Sequence, residues 1–146
     1  SVTVGSTNSG DGGDVYVSAG VSTDGTGGSV ALTSGTGSAL KGSGPVTVRS
    51  ANAIGGGTTG VLVFSSGTTG NGASGDVTLA SGSSLTATSG SVTLSSGTAR
   101  SNSGGVSIAS GDSWNAGDSG AIVFSSGTTT DGNSGSVTVM SGFVAD

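Results

Sequence analysis

The amino-acid sequence predicts an all-β protein, namely a single-chain β-solenoid of about ten coils with roughly 15 residues per coil and no helix. Three observations predict it. A short apolar phrase recurs throughout the chain, its apolar residues alternate with a period of two, and glycine bounds each copy. Self-similarity at a fixed short period is typical of solenoids.

The phrase is clearest at Ser89–Gly97, which reads Ser-Gly-Ser-Val-Thr-Leu-Ser-Ser-Gly. Val92 and Leu94 are two positions apart, so they would share one face of a strand. Ser96 follows at the next inward position, where a thin coil has room only for a small side chain. The glycines at either end predict turns.

Ten copies align on three inward positions. The first holds Val2, Val15, Val30, Val46, Leu62, Val77, Val92, Val106, Ile122 and Val137. The second holds Val4, Val17, Leu32, Val48, Phe64, Leu79, Leu94, Ile108, Phe124 and Val139. The third holds Ser6, Ala19, Ser34, Ser50, Ser66, Ser81, Ser96, Ser110, Ser126 and Ser141. We expect the first two sets to form the core of the stacked coils.

Two copies are apolar at consecutive positions, so their register needs a choice. Val61 and Val63 could point inward instead of Leu62 and Phe64, but the glycine and serine positions align only with the latter pair. The same argument selects Ile122 and Phe124 over Ala121 and Val123. A slip of one residue would move every side chain to the opposite face.

The composition fits turns and strands better than a flexible linker. Glycine, serine and threonine make up more than half of the chain, while charged residues are 8% and aromatic residues 3%. A linker has no reason to keep apolar residues in register. Turn signals such as Asp24-Gly25, Asn71-Gly72 and Asp131-Gly132 occur in the second half of several copies.

The chain lacks most of the residue types that carry out catalysis or bind metal ions, so we expect no enzyme activity, no cofactor and no metal site. The chain has no His and no Cys, and its serines lack an activating base. The run Gly10–Asp14 matches a calcium-binding β-roll pattern once, but the eight Asp residues are scattered, and we favour a turn-forming role.

The charge distribution argues against nucleic acid and against membrane insertion. The net charge is −5, and the three basic residues, Lys41, Arg49 and Arg100, are far apart. Proteins that neutralise the phosphates of a nucleic acid carry clustered basic residues. No apolar run approaches the length needed to span a membrane.

The outward position between the two core positions supplies the candidate functional face: Thr3, Thr47, Val63, Thr78, Thr93, Ser107, Val123 and Thr138. Three interpretations remain open. The face is a solvated surface of β-forming residues, a lateral packing surface between copies, or a flat ice-binding surface. The large side chains of Tyr16 and Arg49 would make this face less flat, and Val63 and Val123 interrupt its row of hydroxyl groups.

The phrase Ser-Gly-x-Val-x-Val-x-Ser-Gly, carried by Ser134–Gly142, resembles Gly/Ser/Thr-rich extracellular β-solenoid repeat proteins. These include adhesins and the surface or flagellar-hair fibre proteins of microbial eukaryotes. The resemblance covers the whole chain and implies a structural or adhesive role, outside the cell or at its surface.

We therefore expect residues 1–146 to form one continuous solenoid, a segment of a longer repeat array in an extracellular filament or adhesin. Its predicted partners are copies of itself, stacked either end to end or side by side. O-linked glycans on the many hydroxyls are a further candidate. Ice binding through the flat Thr/Ser/Val/Ala face is the alternative function.

Overall fold

The computed structural model describes residues 1–143, and these residues contain neither an α-helix nor a β-strand. The prediction of an all-β solenoid with about ten coils is therefore wrong. The predicted tandem-repeat architecture is wrong for the same reason, because no strand of one copy pairs with a strand of the next in this part of the chain. The protein is a chain of low regular structure.

Missing backbone pairing is the immediate cause. A strand exists only where its N–H and C=O groups bond to a neighbouring strand. Across residues 1–143 the backbone makes four hydrogen bonds to itself, each between residues fewer than ten positions apart: Gly28 N to Gly20 O, Lys41 N to Ser38 O, Gly44 N to Gly35 O, and Gly117 N to Asn115 O. These bonds close turns and loops, and they build no ladder.

The energetics of one copy explain why the alternation does not form strands within the chain. Each copy contributes only two inward apolar side chains whose burial could stabilise it. Ordering the backbone costs conformational entropy at every residue, and glycine loses the most freedom. A copy of roughly 15 residues with two core side chains therefore gains too little by burial to order itself.

The chain divides into two units, Ser1–Val77 and Thr78–Asp146. In the described part of each, apolar phrases without a bend alternate with short bends or turns. These lie at residues 8–10, 23–25, 39–41, 55–56 and 70–72 in the first unit, and at 85–87, 100–101, 115–117 and 130–132 in the second. Repetition in the structure thus stays at the level of local turns.

The predicted turn signals lie inside these bends. Asp24-Gly25, Asn71-Gly72 and Asp131-Gly132 all do so, although only Gly132 has a positive φ, of 116°. At the other two sites a hydroxyl organises the bend: Ser22 Oγ accepts from Gly25 N at 2.9 Å, and Thr69 Oγ1 accepts from Gly72 N at 3.1 Å. Serine and threonine hydroxyls commonly organise turns in this way.

Several loops close where a glycine returns to the third inward position of the preceding copy. A methyl group placed on Gly44 or Gly60 would lie 3.8 Å from the Cβ atom of Ser34 or Ser50, respectively. In the second unit the corresponding pairs are Gly90 with Ser81, Gly104 with Ser96, Gly120 with Ser110, and Gly135 with Ser126. The loop after Ser66 differs, because a methyl group on Gly75 would meet nothing within 4 Å.

Burial is slight throughout the described residues. No side chain is buried, and only Ala19, Ser34, Ser50 and Ser110 are half-buried, all of them at the third inward position. The predicted core is exposed: even its most covered members, Val4 and Ile122, expose 46% of their surface. The accessible surface is 14359 Å², more than twice the roughly 6500 Å² expected for a folded monomer of this mass.

Candidate interaction surface

The eight residues of the candidate face are all exposed. Thr3, Thr47 and Val63 lie in the first unit, and the second unit carries Thr78, Thr93, Ser107, Val123 and Thr138. The described residues form no sheet that would hold them in one plane. Their role as a packing or ice-binding face therefore stays a prediction.

Two segments differ from the remaining phrases, and we call them the double-faced segments: Val61–Ser66 and Ala121–Ser126. They read Val-Leu-Val-Phe-Ser-Ser and Ala-Ile-Val-Phe-Ser-Ser, with four consecutive apolar residues where no other phrase has more than three. Sequence reasoning treated these residues as a choice of register. It missed that an exposed segment of this kind is apolar on both sides, although the signal is visible in the sequence.

Exposure within the double-faced segments is uneven but high. In the first segment Leu62 exposes 48% of its surface, against 88% for Val61, 71% for Val63 and 69% for Phe64. Leu62 is thus the least exposed apolar residue of the segment, whereas Phe64 is as exposed as Val63. Every apolar residue of the segment therefore has surface left to bury against another molecule.

Charged side chains are sparse along the chain. Lys41, Arg49 and Arg100 carry the positive charge of the side chains. Residues 1–143 bring together no group of three His, Cys, Asp or Glu side chains that could hold a metal ion. One polar contact involves a carboxylate and an aromatic residue: Tyr16 Oη donates to Asp14 Oδ2 at 3.4 Å, a long hydrogen bond.

A polar depression of about 690 Å³ lies open to solvent inside one loop of the second unit, lined by Ser126, Gly127, Thr128, Thr129, Gly132, Asn133 and Ser134. Thr129 Oγ1 donates to Asp131 O at 3.1 Å at its edge. The lining supplies hydroxyl and amide groups and no charged side chain. It therefore lacks the charged ligands with which proteins usually bind phosphate or metal ions.

No helix in the described range is long and apolar enough to cross a membrane. Comparisons with known proteins find no matching family model, no similar curated protein and no similar solved structure. The chain's own surface is therefore the basis for the proposed function.

Proposed function

We propose that this chain is a structural segment of an extracellular filament or adhesin, and that it works by associating with further copies of itself. Association would proceed end to end along the filament and side by side between neighbouring chains. The proposed partner is a second copy of the same chain.

The exposure of the apolar side chains carries this proposal. Every large apolar residue described exposes at least 46% of its surface. Soluble monomers rarely leave contiguous apolar surface uncovered, and large exposed patches mark interaction sites. The total accessible surface, polar and apolar together, exceeds that of a folded monomer by about 8000 Å², so area does not limit an interface, which buries about 1200–2000 Å² in total.

The exposed backbone supports the same partner. Apart from four local hydrogen bonds, the backbone groups of residues 1–143 are free of backbone partners within the chain. Segments rich in valine and threonine with free N–H and C=O groups are templates for pairing with another chain. Such pairing would provide the backbone partners that the single chain lacks.

The weak charge of the chain also favours a like partner. Charged residues are 8% of the sequence, and the net charge is −5. Two copies therefore repel each other only modestly at physiological ionic strength, where the Debye length is about 8 Å. A nucleic acid or a strongly charged protein would find no complementary cluster.

The ice-binding alternative depends on a flat, rigid array of threonines. The described residues form no sheet to provide that plane. No observation therefore favours ice binding over self-association.

Sedimentation velocity and circular dichroism over a concentration series test the proposal. We expect the purified chain to form large species as its concentration rises, and β-structure to appear together with them. Electron microscopy of the native material should show fibres at the cell surface. A chain that remains monomeric and unstructured at millimolar concentration would refute the self-association.

A matched pair of variants separates apolar contact from a general effect of charge. Val92→Asp/Leu94→Asp places two carboxylates at apolar positions, and Ser91→Asp/Ser95→Asp places the same two charges at flanking polar positions in the same phrase. We expect the first variant to weaken association clearly more than the second. Equal weakening by both would mean that charge repulsion, rather than lost apolar contact, explains the result.

A further inference from the structure

The double-faced segments have properties that no other phrase of the chain shares. Most phrases alternate apolar residues with Thr or Ser, and no other phrase has more than three consecutive apolar residues, so a strand built from one of them would bury mainly one face. Val61–Phe64 and Ala121–Phe124 are apolar at four consecutive positions. A strand built from either segment could bury both of its faces at once.

Both segments are available to a partner. The outward residues Val63 and Val123 expose 71% and 78% of their surfaces, and Phe64 and Phe124, which were predicted to face inward, expose 69% and 67%. None of the four backbone hydrogen bonds of the described chain involves either segment. The apolar side chains of both segments are therefore exposed, and their peptide groups make no hydrogen bond to the backbone of the described chain.

The charge surroundings distinguish the two segments. No charged residue occurs between Arg49 and Asp76, so Val61–Ser66 lies in a neutral stretch. Ala121–Ser126 is flanked by Asp118 and Asp131. Charges beside an apolar strand act as gatekeepers, because identical chains stacked in register would place like charges next to one another.

We propose that Val61–Ser66 is the primary contact between copies of this chain, pairing in register with the same segment of a second copy. This inference rests on the proposed self-association and names the segment that begins it. Short, uncharged segments of high β-propensity without proline form such contacts, with backbone bonds along the stack and interlocked side chains between stacks.

A second copy is the occupant that the chemistry selects. In-register stacking sets Phe64 on Phe64 and Val63 on Val63, so each side chain meets one of its own shape, and Ser65 can form a ladder of hydroxyl bonds. Ala121–Ser126 pairs in the same way but more weakly, because it has Ala121 where the first segment has Val61 and because its flanking carboxylates repel.

Matched substitutions test this ranking. Val61→Ser/Val63→Thr gives the first segment the outward residues of the phrase at Ser91 and Thr93, and Ala121→Ser/Val123→Thr makes the equivalent change in the second. The readout is the concentration of chain left in solution after assembly, measured by sedimentation. We expect the first variant to raise it roughly tenfold and the second to raise it by a clearly smaller factor.

A spin label tests the register directly, because the chain has no cysteine of its own. In assembled material, a label on Ser65→Cys should give an exchange-narrowed spectrum, since stacked strands lie about 4.8 Å apart. A label on Ser38→Cys, in a loop of the same unit, serves as the control and should not.

The outcomes separate this inference from the function on which it rests. If the unaltered chain does not assemble, the proposed function fails and this inference fails with it. If the unaltered chain assembles and both double variants assemble like it, self-association stands and the primary role of Val61–Ser66 is refuted. A dominant effect of the second variant would refute it as well.

Discussion

Replacing Gly28 by alanine should open one loop of the first unit, whereas the same change at Gly44 should leave the equivalent loop closed. Both glycines donate their N–H to a glycine at the start of their loop: Gly28 to Gly20 O at 2.9 Å and Gly44 to Gly35 O at 3.0 Å. Neither has a positive φ, so the backbone conformation itself accepts alanine at both sites.

The space around the added methyl group differs between the two sites. On Gly28 it would lie 3.2 Å from both Ala19 Cβ and Gly20 N, which is tighter than ordinary van der Waals contact. On Gly44 its nearest neighbour would be Ser34 Cβ at 3.8 Å. Relief of the first contact requires Gly28 to move away from Gly20, and this movement lengthens the hydrogen bond that closes the loop.

The expected change in the ratio of closed to open loop follows from the strength of that one hydrogen bond. A hydrogen bond contributes about 0.5–1.5 kcal/mol net, and an exposed one lies at the low end of this range. About 0.5–1 kcal/mol corresponds to a two- to fivefold change in the ratio of closed to open loop. The loss of unfolded-state freedom when glycine becomes alanine is common to both variants, so it cancels in the comparison.

Amide hydrogen exchange by NMR, at concentrations where the chain is monomeric, measures this ratio at residues 28 and 44. We expect the protection factor at residue 28 to fall two- to fivefold towards one in Gly28→Ala. The factor at residue 44 should be retained in Gly44→Ala. Equal protection in the two variants, whether kept or lost, would show that the contact with Ala19 and Gly20 does not control loop closure.

Two further predictions concern the whole chain. Raising the salt concentration from about 0.01 to 0.1 M shortens the Debye length from about 30 to 10 Å. Self-association, measured by sedimentation velocity, should therefore become stronger, because the salt screens the net charge of −5. Weaker association at the higher salt concentration would instead indicate ion pairs between copies. The dilute chain should show no cooperative heat-absorption peak in calorimetry, because no side chain in residues 1–143 is buried. A concentration-independent transition near the roughly 0.7 kcal/mol per residue of folded domains would contradict that expectation.

The local features of this protein were predictable from its residues. The turns at Asp24-Gly25, Asn71-Gly72 and Asp131-Gly132 lie in bends of the structure, because turn preference depends on a few neighbouring residues. The hydroxyl bonds from Gly25 N to Ser22 and from Gly72 N to Thr69 are local for the same reason. For the candidate interaction surface, the four apolar residues of each double-faced segment were visible, but their exposure was not.

The fold class was not predictable in this way. Val92 and Leu94 alternate as strand residues do, and the sequence analysis expected them inside a stacked coil, yet they expose 53% and 68% of their surfaces. Alternation states which side chains could share a face. It does not state whether a neighbouring strand is present, since that depends on a free-energy balance over distant parts of the chain.

By itself, the sequence determined the charge, the chemical inventory, three of the turns and the two segments that are apolar on both sides. Only the tertiary structure decided that the apolar phrases remain uncovered, that the half-buried residues are Ala19, Ser34, Ser50 and Ser110 at the third inward position, and that glycines return to several residues of that position. The physical reason is that turns and side-chain chemistry are local, whereas burial and strand pairing require a partner that residues 1–143 do not supply to one another.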